Sequence, residues 1–354
     1  MSDGLRRTAG PGSGPNGAPA AIALSPILSA RYRARDLELI RAAAPGARIV
    51  TLSREGLTDE PVDDVEVLLR GWLSSDAFDR LLTRAPRLNY VHSASAGVER
   101  ALTPAALERG IVITNARGVF SRPIAEYVLM MILAVSRRLP GLLELQRERT
   151  WQPLEGVELR DVTVGIVGLG SIGRAVGALA TAFGCRVVAV RRRSEGGETT
   201  LPTDDDTRSF GEVMLDRVGG PESLPELLAE SDFVVLAAPL TSETEDMIDE
   251  AALAAMKPSA WLINIARGGL VDERALLDAL REGRIGGAVL DTFREEPLPP
   301  RSPFYDLDNV IVTPHTSWSS GRVLDRSVEL FCDNLRRYAA GEPLLNVVDP
   351  TAGY

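Results

Sequence analysis

Three side chains near the end of the chain, Arg267, Glu296 and His315, supply a guanidinium, a carboxylate and an imidazole. Hydride reduction of a carbonyl, such as the C2 carbonyl of a 2-oxo acid, needs a cation to polarise the C=O bond and an acid to protonate the forming alkoxide. A further group must hold that acid in place. Arg267, His315 and Glu296 can fill these three roles. Singly, each residue is better explained as a helix cap, a surface carboxylate or a loop histidine, so the hypothesis depends on their combination.

A glycine-rich segment lies upstream of these residues, at Gly168-Leu169-Gly170-Ser171-Ile172-Gly173. A β-branched run precedes it at residues 162–167, and a helical stretch follows at 172–183. In a strand-turn-helix setting this spacing predicts dinucleotide binding, because Gly168 makes the turn, Gly170 lets the backbone approach a pyrophosphate and Gly173 permits close packing. The helix amino terminus would then hold the phosphates. The alternative is a glycine-rich turn without a ligand.

The end of the next predicted strand, residues 186–190, bears on the choice of dinucleotide. An acidic residue there binds the ribose 2′-OH of NAD, whereas arginine suits the 2′-phosphate of NADP. The chain has Arg191-Arg192-Arg193-Ser194 at this point, with Arg191 where the acid would stand. We therefore predict NADP as the preferred cofactor, with NAD as the alternative. A solvated basic loop, partly neutralised by the aspartates at 204–206, would explain the arginines equally simply.

Apolar runs alternate with amphipathic stretches along the chain, a pattern typical of parallel α/β sheets. Strands are predicted at residues 21–24, 47–52, 65–69, 88–92 and 111–114, and, after the glycine-rich segment, at 233–237, 261–265, 287–290 and 310–312. A helix is predicted to begin at Ser121-Arg122-Pro123, since proline suits the first turn, and to run to Val135. This helix is expected to link two domains.

Composition narrows the class of protein. The chain has 354 residues, 45% hydrophobic and 25% charged, which is enough for two domains. Its net charge of -10 argues against a nucleic-acid partner. The apolar stretch at 124–135 contains Glu126 and is too short to span a membrane.

Cys185 and Cys332 match no disulfide or metal pattern, so we expect no metal and a reducing cytoplasm. Residues 1–20, rich in Gly, Pro and Ala, are predicted to form a disordered tail.

Further motifs strengthen this interpretation when they are taken together. They are Ser95-Ala96-Gly97-Val98, Asn115, Ala125-Glu126, the glycine-rich segment, Pro239-Leu240-Thr241, Met256-Lys257-Pro258, residues 264–272, Leu290-Asp291-Thr292-Phe293, Glu296-Pro297-Leu298 and Thr313-Pro314-His315. With these motifs, residues 88–345 resemble the D-isomer-specific 2-hydroxyacid dehydrogenase family, which includes glyoxylate, hydroxypyruvate and phosphoglycerate reductases.

The resemblance implies an α/β protein with two Rossmann-like domains. A doubly wound dinucleotide-binding domain, residues 122–317, would be inserted into a flavodoxin-like substrate domain formed by 21–121 and 318–354. The family active site lies in the cleft between these domains. Family members are usually dimers joined through the cofactor domain, and the apolar helix after Pro123 would suit such a homodimer.

Roles follow residue by residue from the resemblance. Arg267 would bind the substrate carboxylate and carbonyl, a bidentate task for which lysine is less suited. His315 would protonate the carbonyl oxygen in reduction and recover the proton in oxidation, while Glu296 fixes its tautomer and favours the imidazolium. The remaining substrate contacts implied are the backbone N–H groups of Ser95, Ala96, Gly97 and Val98. Trp318 either walls the substrate pocket or packs as an aromatic side chain at the domain hinge.

Asp291 corresponds to the family residue that holds the nicotinamide carboxamide. The full set of cofactor contacts implied is Gly168, Gly170, Ser171, Ile172, Gly173, Arg191, Arg192, Pro239, Thr244, Ala266 and Asp291. His92, the other histidine, matches no motif and is predicted to be a satisfied structural residue.

Two functions remain open at the level of sequence. The first is an oxidoreductase that transfers hydride between NADP or NAD and a small 2-oxo or 2-hydroxy acid, D-specific and similar to glyoxylate or hydroxypyruvate. The second is a dinucleotide-sensing binding protein, since some relatives of the family act as transcriptional co-repressors. The presence of Arg267, Glu296 and His315 together favours catalysis.

Overall fold

The computed structural model describes residues 17–27, 32–192 and 213–350. The chain divides into two compact units, one formed by the described residues up to Val119 and from Gly321 onward, the other by Phe120–Ser320. Most of the predicted tail, residues 1–16, lies outside the described residues. Pro19 is already buried, and the Ala20 carbonyl accepts a hydrogen bond from the Arg48 N–H at 3.0 Å.

The first unit is built on a five-stranded parallel sheet with the order β2-β1-β3-β4-β5, which is the flavodoxin-like order. Its strands are β1 (Ala21–Leu24), β2 (Arg48–Thr51), β3 (Val65–Arg70), β4 (Tyr90–Ser93) and β5 (Val112–Asn115). Helices α1 (Ala34–Ala43), α2 (Ser75–Arg84) and α3 (Pro104–Glu108) connect them. Every residue of β1 and β3 is buried, as expected where apolar groups cover both faces of a parallel sheet.

The second unit contains a seven-stranded parallel sheet with the order β12-β11-β10-β9-β6-β7-β8. Its strands are β6 (Thr163–Val167), β7 (Arg186–Val190), β8 (Arg217–Gly219), β9 (Phe233–Leu236), β10 (Trp261–Asn264), β11 (Gly287–Leu290) and β12 (Val310–Val312). Its helices are α4 (Ser121–Ser136), α5 (Leu139–Arg147), α6 (Ser171–Ala182), α7 (Leu224–Glu230), α8 (Glu250–Ala255) and α9 (Glu273–Arg281). The strand order reverses between β6 and β9. Open α/β sheets bind ligands beyond the carboxyl ends of the strands at such a point.

The last helix, α10 (Val323–Ala340), belongs to the first unit and packs against α1. Val328, Phe331 and Leu335 are completely buried on its inner face. The helix ends at Gly341, whose φ of +68° closes a left-handed cap. None of the helices in the described part of the chain has the length and apolar character needed to cross a membrane.

The predicted fold class, two parallel α/β sheets with a doubly wound second sheet, is confirmed. Each predicted strand lies within two residues of an observed one, and α4 begins at Ser121 as expected. Strand β8 was not predicted from the sequence. This strand has only three residues, none of them buried, so it carries no apolar run that could have identified it.

Candidate active site

The candidate residues of the second unit follow the carboxyl ends of five different strands. Gly168 follows β6, Arg191 follows β7, Arg267 lies three residues beyond β10, Asp291 follows β11 and His315 lies three residues beyond β12. All strand pairs in this sheet are parallel. These residues therefore gather at one edge of the sheet.

The glycine-rich turn has the shape that a pyrophosphate requires. Gly168 has a φ of +101°, and a Cβ on it would stand 2.6 Å from the Ala238 nitrogen. A Cβ on Gly173 would stand 2.1 Å from the Gly168 carbonyl oxygen, so α6 packs directly against the turn. A Cβ on Gly170 would meet nothing within 4 Å, and no side chain caps the start of α6 at Ser171 and Ile172. The open space beside Gly170 and the uncapped helix terminus fit a dinucleotide.

The Arg267 loop is held by the side chain of Asn264, which is 1% exposed. Its Oδ1 accepts from the Ala266 N–H at 3.1 Å, and its Nδ2 donates to the Arg267 carbonyl at 2.9 Å. The Arg267 guanidinium donates through Nη1 to the Ala266 carbonyl at 2.7 Å. A Cβ on Gly268 would stand 2.0 Å from the Phe293 carbonyl carbon. The glycine therefore lets the Arg267 loop lie directly on the loop that carries Glu296.

Glu296 and His315 form a direct pair, with 2.8 Å between Oε2 and Nδ1. The other carboxylate oxygen, Oε1, accepts from the Phe293 N–H at 3.0 Å. Partial burial alone would raise the pKa of Glu296. The hydrogen bonds from His315 and Phe293, with the positive charges of His315 and Arg267, outweigh burial and lower the pKa below its ordinary value. The guanidinium, carboxylate and imidazole thus influence one another electrostatically.

The loop that carries His315 has a left-handed residue at its centre, since the φ of His315 is +48°. This conformation is uncommon for a residue other than glycine. Two contacts hold His315 from within the loop: its N–H donates to the Thr313 carbonyl at 3.0 Å, and its carbonyl accepts from Trp318 Nε1 at 2.7 Å. Trp318 is half-buried and belongs to the second unit. The indole therefore supports the histidine backbone, a contact that neither sequence interpretation included.

Asp291 is completely buried and anchors the same loop. Its Oδ1 accepts from the Thr313 hydroxyl at 2.6 Å and from the Thr316 N–H at 2.8 Å, while Oδ2 accepts from the Ser317 N–H at 2.9 Å. From the sequence, Asp291 is assigned to the nicotinamide carboxamide, and this anchoring is an additional role that the motif does not predict. A carboxylate has about four acceptor sites, so three protein donors leave one for a ligand.

Arg191 and Arg192 extend from the end of β7. The Arg191 N–H continues the sheet by donating to the Gly219 carbonyl at 3.0 Å. Arg192 is exposed, and its Nη1 lies 3.6 Å from Glu243 Oε2. Arg193, Ser194 and the aspartates at 204–206 lie outside the described residues, so the proposed neutralisation of this loop has no structural description.

Pro239 and Thr244 lie in the loop after β9 and contact each other. The Thr244 hydroxyl donates to the Pro239 carbonyl at 2.7 Å and accepts from the Thr241 N–H at 2.8 Å. This arrangement fixes the turn without any external group.

Ser95, Ala96, Gly97 and Val98 lie in the first unit, just after β4. Asn115 Nδ2 donates to the Ala96 carbonyl at 2.9 Å, and the Ser95 carbonyl accepts from the Ala116 N–H at 3.0 Å. Within the described part of the chain, the backbone N–H groups of Ala96, Gly97 and Val98 donate no hydrogen bond. A loop held by its carbonyls, with its amides unused, has the donor set that a carboxylate needs.

Comparison with known proteins decides the family. The family model for the D-isomer specific 2-hydroxyacid dehydrogenase, NAD binding domain, matches residues 129–317, more than half of the chain. A glyoxylate reductase from Korarchaeum cryptofilum is 34% identical over 324 residues, covering 89% of this chain and 90% of that protein. The chain belongs to the D-isomer-specific 2-hydroxyacid dehydrogenase family. It is an NAD(P)-dependent oxidoreductase, and the predicted family and class of activity are confirmed.

Solved structures of family members support the same assignment. The D-isomer specific 2-hydroxyacid dehydrogenase from Xanthobacter autotrophicus Py2, in complex with NADPH and MES, superimposes with a TM-score of 0.79 at 30% identity, covering 95% of this chain and all of that one. The NADPH-dependent glyoxylate/hydroxypyruvate reductase from Sinorhizobium meliloti, in complex with NADP and sulfate, gives a TM-score of 0.75 at 26% identity, again covering 95% of this chain and all of that one.

His92 in this dehydrogenase is buried in the first unit and only half satisfied. Its Nδ1 contacts the Thr114 hydroxyl at 2.7 Å, and its ring lies against Phe331 with 5.6 Å between centroids. No hydrogen-bond partner of Nε2 is found among the described residues, which corrects the prediction of a satisfied histidine. Complete burial lowers the pKa of His92 to about 3, so the ring is neutral at ordinary pH.

Several residues that shape the site were missed from the sequence. The Phe293 N–H orients Glu296, and Tyr127 contacts Thr313 from α4 with 2.6 Å between their hydroxyl oxygens. A backbone donor has no sequence signature. Tyr127 lies in an apolar helix, where an aromatic residue is ordinarily interpreted as part of the core. No group of three or more His, Cys, Asp or Glu side chains suited to a metal ion occurs in the parts of the chain that the structure describes.

Proposed function

We propose that the chain reduces a small 2-oxo acid of the glyoxylate or hydroxypyruvate type to the D-2-hydroxy acid, with NADPH as the preferred reductant. The observation that carries this proposal is the 2.8 Å contact between His315 Nδ1 and Glu296 Oε2, beside a guanidinium whose charge acts on the same carboxylate. The printed activities of the K. cryptofilum and S. meliloti relatives support the choice of substrate class.

His315 is proposed as the acid that protonates the carbonyl oxygen. Because Nδ1 is occupied by Glu296, Nε2 is the nitrogen left to face a substrate. A carboxylate partner stabilises the imidazolium, so the ring can carry a proton to give away. When bound, the reduced nicotinamide supplies the hydride. In the direction of oxidation, the same nitrogen takes the proton back.

Arg267 is proposed to bind the substrate carboxylate and polarise its carbonyl. A planar guanidinium can donate two parallel hydrogen bonds, which suits a 2-oxo acid with adjacent carboxylate and carbonyl oxygens. The unused N–H groups of Ala96, Gly97 and Val98 support a role of the 95–98 loop in binding a carboxylate. Substrate binding is thus a proposed role of the first unit, and dinucleotide binding that of the second unit, which also carries Arg267 and Trp318, a candidate wall of the substrate pocket.

The preference for NADP rests on Arg191 and Arg192 at the end of β7, the position where an acidic residue would select NAD. The other proposed cofactor contacts are Gly168, Gly170, Ser171, Ile172, Gly173, Pro239, Thr244, Ala266 and Asp291. Both structural neighbours described above were solved with NADPH or NADP.

We propose a homodimer formed through the second unit, because the apolar residues of α5 are exposed. No residue of this nine-residue helix is buried. Its apolar residues Leu139, Leu142 and Leu143 are 46%, 38% and 43% exposed. Trp151, shortly after the helix, is fully exposed. An amphipathic helix with leucines this exposed is stabilised by burial in an interface, and a second copy is the partner that symmetry favours. The proposed dimer interface includes α5 as well as α4, the helix that was expected from the sequence to form it.

A cytoplasmic location is also proposed. Cys185 and Cys332 are both free and buried, and they lie in different units. Burial raises the pKa of Cys185 to about 11 and that of Cys332 to about 12, so both thiols stay protonated. Free, unreactive thiols fit a reducing compartment.

The decisive experiment is turnover with NADPH and a panel of glyoxylate, hydroxypyruvate and phenylpyruvate, for the wild type and His315→Ala. We expect the variant to lose about 10²- to 10⁴-fold in kcat, the usual contribution of general acid catalysis. Its dinucleotide affinity should be nearly unchanged. Tight NADPH binding without turnover of any 2-oxo acid would overturn the proposal and favour the dinucleotide-sensing function instead.

Light scattering of Leu142→Asp tests the homodimer, because a charge on α5 should give monomers at concentrations where the wild type is dimeric. Leu107→Asp, at a leucine that is 46% exposed on α3 of the first unit, is the matched control and should leave the dimer intact. A monomeric wild type would refute the proposed interface.

A further inference from the structure

The loop that carries His315 is tied on both sides of the histidine to one buried carboxylate. Asp291 accepts from Thr313 before His315, and from Thr316 and Ser317 after it. A left-handed residue between two anchored segments can keep its unfavourable φ only while those anchors hold. The orientation of His315 therefore depends on how firmly Asp291 and Thr313 are fixed.

Tyr127 extends this set of contacts by one residue, and the direction of each hydrogen bond can be deduced. The Thr313 hydroxyl has one proton, and it donates this proton to Asp291 Oδ1 at 2.6 Å. In its 2.6 Å contact with Tyr127, Thr313 must therefore accept, and the tyrosine hydroxyl must donate. The order is Tyr127 to Thr313 to Asp291.

The surroundings of Tyr127 keep it in the donor form. The residue is 9% exposed on the inner side of α4. Burial, together with the nearby charge of Asp291, raises the pKa of Tyr127 to about 12 although the Thr313 hydrogen bond lowers it. The phenol is therefore protonated at neutral pH. A phenol that donates to a hydroxyl strengthens the bond that this hydroxyl donates onward.

We propose that Tyr127 is a positioning residue: through Thr313 and Asp291 it holds the loop that presents the His315 imidazole for proton transfer. This inference rests on the proposed function, because it assigns to His315 the proton that reaches the carbonyl oxygen. Tyr127 itself contacts neither His315 nor Glu296 among the hydrogen bonds of the described residues. The one side-chain hydrogen bond of Tyr127 in the described part of the chain joins it to Thr313, which makes its effect separable by experiment.

The kinetic test compares Tyr127→Phe, Thr313→Val and the double variant in single-turnover oxidation of NADPH by glyoxylate. Removal of one buried hydroxyl should lower the rate about 5- to 10-fold in Tyr127→Phe, while KM and the dinucleotide Kd stay within about two-fold. Because Tyr127 acts through Thr313, adding Tyr127→Phe to Thr313→Val should change the rate no further. Multiplied effects in the double variant, or a wild-type rate in Tyr127→Phe, would overturn the proposal.

Tyr338→Phe is the matched control, since this tyrosine also donates its hydroxyl to one side chain, Asn89 Oδ1, at 2.9 Å, but in the first unit. It should lose a similar amount of thermal stability and keep the wild-type rate. An equal loss of rate in both variants would mean that Tyr127 matters only for stability.

A second readout does not depend on turnover. The chain has only two histidines, His92 and His315, so selective ¹⁵N labelling of histidine gives spectra with two imidazole rings. Tyr127→Phe should broaden or split the His315 ring signals while those of His92 stay unchanged. Unaltered His315 signals would refute the positioning role. If the wild type turned over no 2-oxo acid, the proposed function would fail, yet this spectrum would still decide whether Tyr127 orders the loop.

Discussion

Replacing Glu296 with glutamine tests the carboxylate-imidazole pair with almost no change of shape. Each oxygen of Glu296 accepts one N–H: Oε2 from His315 Nδ1 at 2.8 Å and Oε1 from Phe293 N at 3.0 Å. An amide has only one oxygen. If that oxygen stays with the Phe293 N–H, the NH₂ group faces Nδ1 and forces this nitrogen to be an acceptor, with the ring proton on Nε2. Such a ring is neutral and cannot become an imidazolium without losing the contact.

The expected loss follows from the bond that is removed. A hydrogen bond to a charged group contributes about 1.5–3 kcal/mol. The side chains of His315 and Glu296 are 40% and 37% exposed, so solvent screening places this pair near the lower end, about 1.5 kcal/mol. A free-energy difference of this size corresponds to about a tenfold change in rate. The wrong tautomer of His315 adds to this loss of rate, and we expect kcat for reduction to fall between about 10- and 100-fold.

The pH dependence has a definite sign. The pKa of Glu296 is lowered from its ordinary value of 4.5, so the carboxylate stays ionised at and above that pH. Its contribution to the pair is present above pH 4.5 and is lost only as the pH falls through the lowered pKa of the folded protein. In Glu296→Gln a neutral amide replaces the carboxylate, so this contribution to the pair is absent at every pH. The kcat of Glu296→Gln should therefore stay below that of the wild type throughout the range from pH 5 to 9.

The assay is the kcat of glyoxylate reduction at saturating NADPH, measured from pH 5 to 9, with thermal unfolding to confirm that each variant is folded. Glu295→Gln is the matched control, because it removes the neighbouring exposed carboxylate and leaves Glu296 in place. A wild-type kcat and pH profile for Glu296→Gln would refute the reasoning. So would an equal loss in Glu295→Gln, which would point to the net charge of the loop instead.

Arg267→Lys should lower kcat/KM for glyoxylate by about 10²-fold or more despite the retained charge, since an ammonium cannot form the bidentate contact; near-native kcat/KM would contradict it. The double variant Arg191→Asp with Arg192→Ala should shift the ratio of kcat/KM values from NADPH toward NADH, and an unaltered ratio would remove these arginines from recognition of the 2′-phosphate. His92 has a pKa lowered to about 3 from 6.5, so the unfolded chain takes up its proton first as the pH falls. The free energy of unfolding of the wild type, measured in urea and taken relative to that of His92→Gln, should therefore decline by about 1.4 kcal/mol for each pH unit as the pH falls from 6.5 to 3. A difference that does not change with pH would contradict it.

Local patterns predicted much of the fold. The β-branched run at β6, the glycine turn after it and the start of α6 are consecutive in the chain, so the dinucleotide-binding motif could be identified without tertiary information. Strand β8 shows the limit of this approach. It joins the sheet by pairing with β7, yet its three residues, none of them buried, carry no periodic apolar signal.

The sequence by itself determined which chemical groups are present and at which strand ends they stand. Parallel strands place successive carboxyl ends at one edge, so the convergence of Arg267, Glu296 and His315 was already implied by their order along the chain. Only the tertiary structure decided what orients these groups. Tyr127 and Thr313 are 186 residues apart, yet their oxygens lie within 2.6 Å because α4 packs inside the second unit. Hydrogen bonds act over about 3 Å, and sequence periodicity reports only on neighbours along one helix or strand, so such partners become visible once the chain has folded.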